Sequence, residues 1–433
     1  MPGKLLVYTA LTWFILAIVI AVWPEYESWW INASIVLIII ISFDFLNLLS
    51  LPRIEIDRQV LPALSLGVQT KVQLTLHNRQ GRHMHVKVYD HYPSTCEAHG
   101  LPLNISIVSH NWCELEYPVL PTQRGPAQFT ATQYRVRSPF GFWIRNRVQE
   151  NISNVKVYPN FSSVMKYSLL ATDNRAAQMG ILKKRRRGDG LEFHQLREYR
   201  EGDTFRQVDW KATARHRKLI SRDYQEERDQ QILFLVDCGR RMMSHDDTLS
   251  HFDHTLNAIL LLSHVALKQG DAVGLLTFSG EQRWIAPRKS MSSVNVILNS
   301  VYDLQPKLIS PDYERAAIEF MQRQTKRSLV ILLTNVRDED SDELLPALRL
   351  LKKRHLVLLA SMREHSLDMR LEAPIQNYDE ALDYAATNHY LEYRRKMHMQ
   401  FDQSGVLFMD VNPDQLAVNI VNRYLEIKTA GML

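Results

Sequence analysis

Two places in the chain set acidic side chains among arginines at spacings that could do chemistry. The first runs from Glu192 to Arg215, where Glu198, Asp203 and Asp209 alternate with Arg197, Arg206, Lys211 and Arg215 around Phe193, Tyr199 and Trp210. Two carboxylates flanking a substrate bond can act as general acid and base, and Glu198 with Asp203 would be that pair. No aromatic sugar platform or apolar pocket is recognisable around them. Because arginine holds a carboxylate in a bidentate fork, the stretch reads better as an ion-pair network that locks a loop-rich segment. The second place is Asp237-Cys238-Gly239-Arg240-Arg241, directly after an apolar run. Cys238 lacks a recognisable His/Asn partner arrangement for nucleophilic work and reads as a small buried hydrophobe. His251, His254 and His264 follow without the H-E-x-x-H spacing of a zinc helix, and no phosphate loop, nucleophile elbow or dinucleotide fingerprint occurs.

The elements that must position Asp237 are an alternation of apolar strands and amphipathic helices. Strands are expected at Ile232–Val236, Ala272–Phe278, Ser328–Leu333, His355–Ser361 and Val406–Met409, with a short partner strand after Ser279-Gly280. Helices are expected at His251–Lys268, Ser292–Tyr302, Tyr313–Arg323, Glu343–Lys353, Ala381–Gln400 and Pro413–Ile427. This order predicts a doubly wound α/β domain, Rossmann-like in plan, over residues 231–433. Ligands of such sheets lie beyond the carboxyl ends of the strands, where Asp237 and the Thr334-Asn335 pair fall.

Upstream, residues 51–160 change to short alternating runs: Lys71–His77, Met84–Tyr89, Trp112–Tyr117 and Phe129–Val136. They predict an antiparallel β-sandwich. His83 and His85 share one strand face but lack a third ligand, so they read as exposed polar residues. Residues 1–50 hold two apolar runs, Leu5–Trp23 and Trp30–Leu49, around Pro24–Ser28. Each is near the roughly 20 residues a helix needs to cross the hydrocarbon core, which predicts a transmembrane helical hairpin with both ends on one side. Trp23, Trp29 and Trp30 cluster at the turn, as interfacial aromatics do. Lys4, Arg53 and Arg58 at the outer ends, against Glu25 and Glu27 in the turn, favour cytoplasmic termini. Asp44 would cost about 2.5 to 3.5 kcal/mol at the bilayer centre, so it is read as an interfacial residue near the cytoplasmic end.

With 433 residues, 45% hydrophobic and 23% charged, the composition is that of a folded multidomain chain, and a net charge of +5 gives no general case for nucleic acid. The three cysteines, Cys96, Cys113 and Cys238, show no metal spacing and suit a reducing compartment. Residues 161–230 include the most basic stretch, Lys183–Arg187. A solvated loop, an anionic-lipid contact and a nucleic-acid patch compete there. Each basic side chain near an anionic leaflet contributes about 1 kcal/mol, whereas the carboxylates among the nearby aromatics would repel phosphate, so nucleic acid is the least favoured.

The segment reading G-x-G-x-E-F-x-x-L-R-E-Y-x-x-G-D-x-x-R-x-x-D-W-x-A-T-A-R carries Glu192, Phe193, Arg197, Glu198, Tyr199, Gly202, Asp203, Arg206, Asp209, Trp210, Lys211, Ala214 and Arg215. It closely resembles the core of the bacterial "domain of unknown function 58" family. Asp90-His91-Tyr92-Pro93, Arg124-Gly125 and Ser138-Pro139-Phe140-Gly141 are similar to further family segments in the family's order. The resemblance implies a membrane hairpin, a sandwich and a von Willebrand factor A-like domain in a bacterial inner-membrane protein whose soluble domains are cytoplasmic. It also implies a MoxR-type AAA+ ATPase, and in some cases a transglutaminase-like membrane protein, as partners. The Asp237 loop resembles the D-x-S-x-S loop of von Willebrand factor A domains, which holds a magnesium-type ion. Here Gly239 and Arg241 replace both serines and Asn335 stands where an aspartate is usual. Asp237 alone is too few protein ligands for magnesium, so no metal or cofactor is expected. Arg240 or Arg241 is expected to stand in for the ion in a partner-binding loop of a membrane-anchored adaptor, with membrane lipid and a protein as partners.

Overall fold

The computed structural model describes residues 1–50, 53–79, 83–160, 192–200, 208–225, 230–246, 249–337 and 340–432. They form two compact units, Met1–Tyr158 and Pro159–Leu433. The stretch Lys183–Arg187 and the residues Gly202, Asp203 and Arg206 lie outside the described residues.

In the first unit, helix α1 (Lys4–Ile20) and helix α2 (Glu27–Leu49) are joined by a single helical turn, Pro24–Tyr26. Trp13 Nε1 on α1 donates to Ser34 Oγ on α2 at 2.9 Å. Both helices are apolar on every face, and among the described side chains α1 buries none and α2 only Asp44 and Leu48. The described residues of this unit then form nine strands: β1 (Glu55–Gln59), β2 (Ala63–Ser65), β3 (Thr70–Asn78), β4 (Met84–Asp90), β5 (Cys96–Ala98), β6 (Leu103–Ile107), β7 (Asn111–Pro121), β8 (Gly125–Arg137) and β9 (Ile144–Tyr158). One sheet has the order β1-β3-β7-β5 and the other β2-β9-β8-β4-β6. All pairings are antiparallel except β2 with β9. Strand alternation turns Val72, Leu74 and Leu76 of the first sheet, and Val86, Val88 and Phe129 of the second, into the interior. Arg58, Asp90, Tyr117 and Thr132 form a buried polar cluster that links the two sheets. Arg58 therefore sits in a buried ion pair, not among the free basic residues flanking the apolar runs.

The second unit opens on a ribbon of β10 (Glu192–Glu198) and β11 (Ile220–Gln225), with the short helix α3 (Trp210–His216) between them. Then follow β12 (Gln231–Asp237), the two-residue strands β13 (His245–Asp246) and β14 (Leu249–Ser250), helix α4 (His251–Lys268), β15 (Ala272–Phe278), β16 (Trp284–Arg288) and helices α5 (Ser293–Val301) and α6 (Tyr313–Arg323). The chain continues as β17 (Leu329–Thr334), α7 (Ser341–Lys352), β18 (Leu356–Met362), α8 (His365–Glu372), α9 (Tyr378–Gln403), β19 (Leu407–Val411) and α10 (Leu416–Thr429). The six-stranded sheet has the order β16-β15-β12-β17-β18-β19 and is parallel except for the edge strand β16. Alternate residues of β12 serve opposite layers. Ile232, Phe234 and Val236 pack with α4, α5 and α10, while Leu233 and Leu235 pack with α6, α7 and α9. Burial on both faces explains why these strands are continuous apolar runs. α4 begins in a capping box in which Asp253 accepts from Ser250 N at 3.0 Å and Ser250 Oγ at 2.5 Å, so this carboxylate is engaged in starting the helix.

His355, at the start of β18, stacks edge-on against Phe320 and shares a 3.0 Å hydrogen bond between Nδ1 and Ser328 Oγ. Burial, with Arg354 beside it, pushes the imidazole from 6.5 down to about 4. The folded state therefore keeps it neutral while the unfolded state takes up a proton. Its stabilising contribution is complete above 6.5 and shrinks as pH falls toward about 4. His355→Asn, which can still meet Ser328, is expected to flatten the acid-side fall in melting temperature. Parallel melting curves for the two proteins across that range would contradict this.

Candidate functional site

The centre of the second unit's carboxyl edge is Asp237, the last residue of β12, whose side chain is fully buried. Its Oδ1 accepts from Gly239 N at 2.7 Å and its Oδ2 from Thr334 Oγ1 at 2.8 Å. Tyr313 Oη and Thr334 Oγ1 share a 3.0 Å hydrogen bond, so a chain of three polar groups runs from α6 through β17 to β12. Burial raises the Asp237 carboxyl above its ordinary range, against the Gly239 amide, the Thr334 hydroxyl and the Arg241 charge, which pull it down. Burial and the nearby Asp237 raise the Tyr313 hydroxyl in the same way.

Gly239 is required by close approach. A Cβ there would lie 2.7 Å from Ile309 O and 3.0 Å from Asp237 Oδ1, so the serine of a D-x-S-x-S loop has no room. Arg240 N donates to Ile309 O at 2.9 Å and Lys307 N to Cys238 O at 2.8 Å, which binds the Asp237 loop to the segment before α6. The Arg240 side chain is exposed, whereas Arg241 is buried in an ion pair with Asp340, itself buried. The Arg241 charge acts on Asp237.

Asn335 extends the site toward α4 and α8. Its Nδ2 donates to Glu364 Oε1 at 2.9 Å and lies 3.4 Å from His251 Nδ1, while its Oδ1 is buried without a hydrogen-bond partner. Burial lowers the His251 imidazole, with Glu364 and Asp246 opposing the shift. Arg394 of α9 braces this edge. It grips Asp410 through two bonds of 3.0 and 2.7 Å and donates to Val336 O and Met362 O, both at 2.7 Å. Tyr313, Asp340, His251, Glu364 and Arg394 thus belong to the site but carry no sequence motif. Only the order of elements brings these residues beside Asp237, Thr334 and Asn335.

The charged segment separates into local structural roles. Arg197 and Glu198 pair with Ser221 and Ile220 across the β10–β11 ladder, and Tyr199 N continues it to Leu219 O at 2.9 Å. Glu198 accepts from Lys218 Nζ at 3.1 Å on the open surface, where such a pair contributes at most about 1 kcal/mol. Asp209 caps α3 by accepting from Ala212 N at 3.0 Å. Trp210, Lys211, Ala214 and Arg215 are exposed, and Glu192 and Phe193 lie on β10. Among the described residues no group of three or more His, Cys, Asp or Glu side chains is arranged to hold a metal.

Residues 195–401, from within β10 to the last turn of α9, match the family model described as "Protein of unknown function DUF58". This stretch is a DUF58 domain. The whole Asp237 site lies inside the DUF58 stretch, and so does the charged segment from its third signature residue onward. No curated protein matches the chain. Among solved structures it is similar to an aerotolerance-related membrane protein from Bacteroides fragilis, at 12% identity over 46% of this chain and 98% of that one, with a TM-score of 0.28. It is also similar to a Salmonella alpha-2-macroglobulin, at 14% identity and a TM-score of 0.20, covering 24% of this chain and 7% of that one. Likenesses this distant fix no role for this chain. One of its helices, α2, is long and apolar enough by length and composition to cross a membrane.

Proposed function

We propose that this DUF58 protein is a membrane-anchored adaptor whose carboxyl-edge loop docks a protein partner. The observation that carries the reading is the apolar surface attached to the Asp237 loop. Leu308 is 83% exposed and Ile309 49%, and the backbone bonds from Arg240 and to Cys238 hold them against the closed Asp237 centre. An exposed leucine on a rigid, hydrogen-bonded loop is a suitable anchor for a partner. Residues 231–433 then form the von Willebrand factor A-like module, residues 161–230 the charged family segment and residues 51–160 the sandwich. α1 and α2 are the transmembrane hairpin, with the Trp13–Ser34 bond tying them together. Lys4 and Arg53 outside against Glu25 and Glu27 in the turn favour soluble domains in the bacterial cytoplasm.

The loop works without a divalent ion on this reading. Both Asp237 oxygens are already engaged, Gly239 excludes a serine, and Arg241 with Asp340 supplies a fixed cation and counter-charge. Such a donor set does not fit the hard, near-octahedral oxygen shell that magnesium takes. The full chain in detergent is expected to show no saturable magnesium or manganese binding; tight stoichiometric binding abolished by Asp237→Ala would overturn this.

A MoxR-type AAA+ ATPase is the partner that the family resemblance puts first, with a transglutaminase-like membrane protein as a further member. Affinity purification of the detergent-solubilised chain from its host, with and without ATP, tests this. Wild type should recover an ATPase in stoichiometric amount and Leu308→Glu should lose it. Equal recovery by both would remove the loop from the interface, and recovery of no protein by wild type would refute the adaptor reading.

A further inference from the structure

The first unit carries a cavity where α2 meets the β-domain. Asp44, fully buried near the end of α2, accepts from Ser138 Oγ, from Phe140 N at 3.1 Å and from Phe142 N at 3.3 Å. Trp143 Nε1 donates to Ile41 O at 3.1 Å, and Arg145 Nη1 to Leu49 O at 3.0 Å. Asp44 is thus an anchor with three donors and not a solvated interfacial charge. The same loop holds the start of α1: Gly3 N donates to Phe142 O at 2.6 Å, and a Cβ on Gly3 would lie 2.7 Å from Gly141 O. α1 and α2 therefore leave the β-domain from one level, marked by Lys4 and Asp44. The 17 residues of α1 rise about 25 Å and the 23 of α2 about 35 Å, on either side of the roughly 30 Å thickness of a bilayer's hydrocarbon core. On the membrane reading proposed above, the Ser138–Phe142 loop lies at headgroup depth.

Beside that loop is a cavity of about 490 Å³ whose lining includes Phe43, Pro139 and Phe140 together with His83, His85 and Arg137. Among the described residues no carboxylate lines it. Phe43 and Phe140 are 58% and 53% exposed, an apolar pair that water does not favour. Val86 pairs with Val136 facing inward, so His85 and Arg137, one step further along β4 and β8, both face outward. His85 Nδ1 shares a 2.5 Å bond with Ser106 Oγ, and His83 Nδ1 lies 3.0 Å from Ile107 O, which holds both rings in place. Arg137 has no ion-pair partner among the described residues, and Lys87 with Arg135, paired on the next step, extends the positive face.

We propose that this cavity binds an anionic phospholipid, with the headgroup phosphate on Arg137 beside His83 and His85 and the first acyl methylenes over Phe43 and Phe140. A guanidinium matches a phosphate with two parallel hydrogen bonds, and the aromatic pair covers apolar surface that continues into the bilayer. The inference rests on the membrane reading of α1 and α2, and the test separates the two. The full chain is reconstituted in nanodiscs of phosphatidylcholine with a minor share of phosphatidylglycerol, and retained lipid is identified by native mass spectrometry after transfer to detergent. Wild type should retain phosphatidylglycerol several-fold above its share. Arg137→Glu, and the separate variant Phe140→Ser, should bring it down to that share, while neutralising Lys183–Arg187 should leave the enrichment in place. Absence of enrichment in wild type, or enrichment that survives both cavity variants, overturns the site. A chain that fails to float with vesicles overturns the membrane reading itself.

Discussion

Asp90→Ala is expected to cost the first unit about 3 to 5 kcal/mol, a large part of the roughly 5 to 15 kcal/mol that stabilises a domain. Asp90 takes Arg58 in a fork, with Nε to Oδ2 at 2.9 Å and Nη2 to Oδ1 at 2.5 Å. Tyr117 Oη and Thr132 Oγ1 add bonds of 2.5 and 2.8 Å, and both charged side chains are fully buried. Burial and the Asp90 charge raise the Tyr117 hydroxyl, so it stays a donor throughout the working pH range. Removing the carboxylate leaves a guanidinium stranded over the Phe129 ring, 5.1 Å from its centroid, with no counter-charge. Replacing both partners together, as Arg58→Met with Asp90→Leu, should cost far less, because the penalty comes from the unpaired charge. Denaturant titration of wild type, Asp90→Ala and the double variant checks it, and an alanine variant as stable as wild type would contradict it.

Asp340→Ala is expected to cost a similar amount, about 3 to 5 kcal/mol, because it strands Arg241 inside the second unit. The consequence reaches the site, since Arg241 is one of the groups that pull the Asp237 carboxyl down against burial. Asp340→Asn keeps a polar partner and should lose less, and Arg241→Met with Asp340→Leu should recover most of the stability. A double-mutant cycle on the full chain with a coupling energy near zero would show that the pair does not hold the loop.

The two buried pairs also show what the sequence makes legible. Asp90 stands in the family-like segment Asp90-His91-Tyr92-Pro93, which gives no sign that it ends β4 and joins two sheets. Its partner Arg58 lies 32 residues earlier, and nothing local connects them. The parallel strands are plain because each is apolar on both faces, and the central ones come within a residue or two of their expected bounds. β9 escapes notice despite its 15 residues, since along most of its length it alternates between exposed and half-buried positions and its apolar alternation is weak. Asp237, Thr334 and Asn335 are legible because they follow strand ends. Tyr313, Asp340, Glu364 and Arg394 are not, because their places depend on how α6, α7, α8 and α9 close over those ends. The carboxylates Glu198 and Asp209 look like chemistry in the sequence and prove to be a surface ion pair and a helix cap. Asp44 is misleading in the opposite sense, since a charge in an apolar run gives no hint of the Ser138–Phe142 loop folding back onto it.

Site-specific photo-crosslinking from position 308 in the intact host tests the docking surface most directly, with position 378, which is also highly exposed, as the reference. The adaptor reading predicts one discrete protein adduct at position 308, identified by mass spectrometry as an AAA+ ATPase or its client and absent from position 378. The same adducts from both positions, or none from position 308, would contradict it.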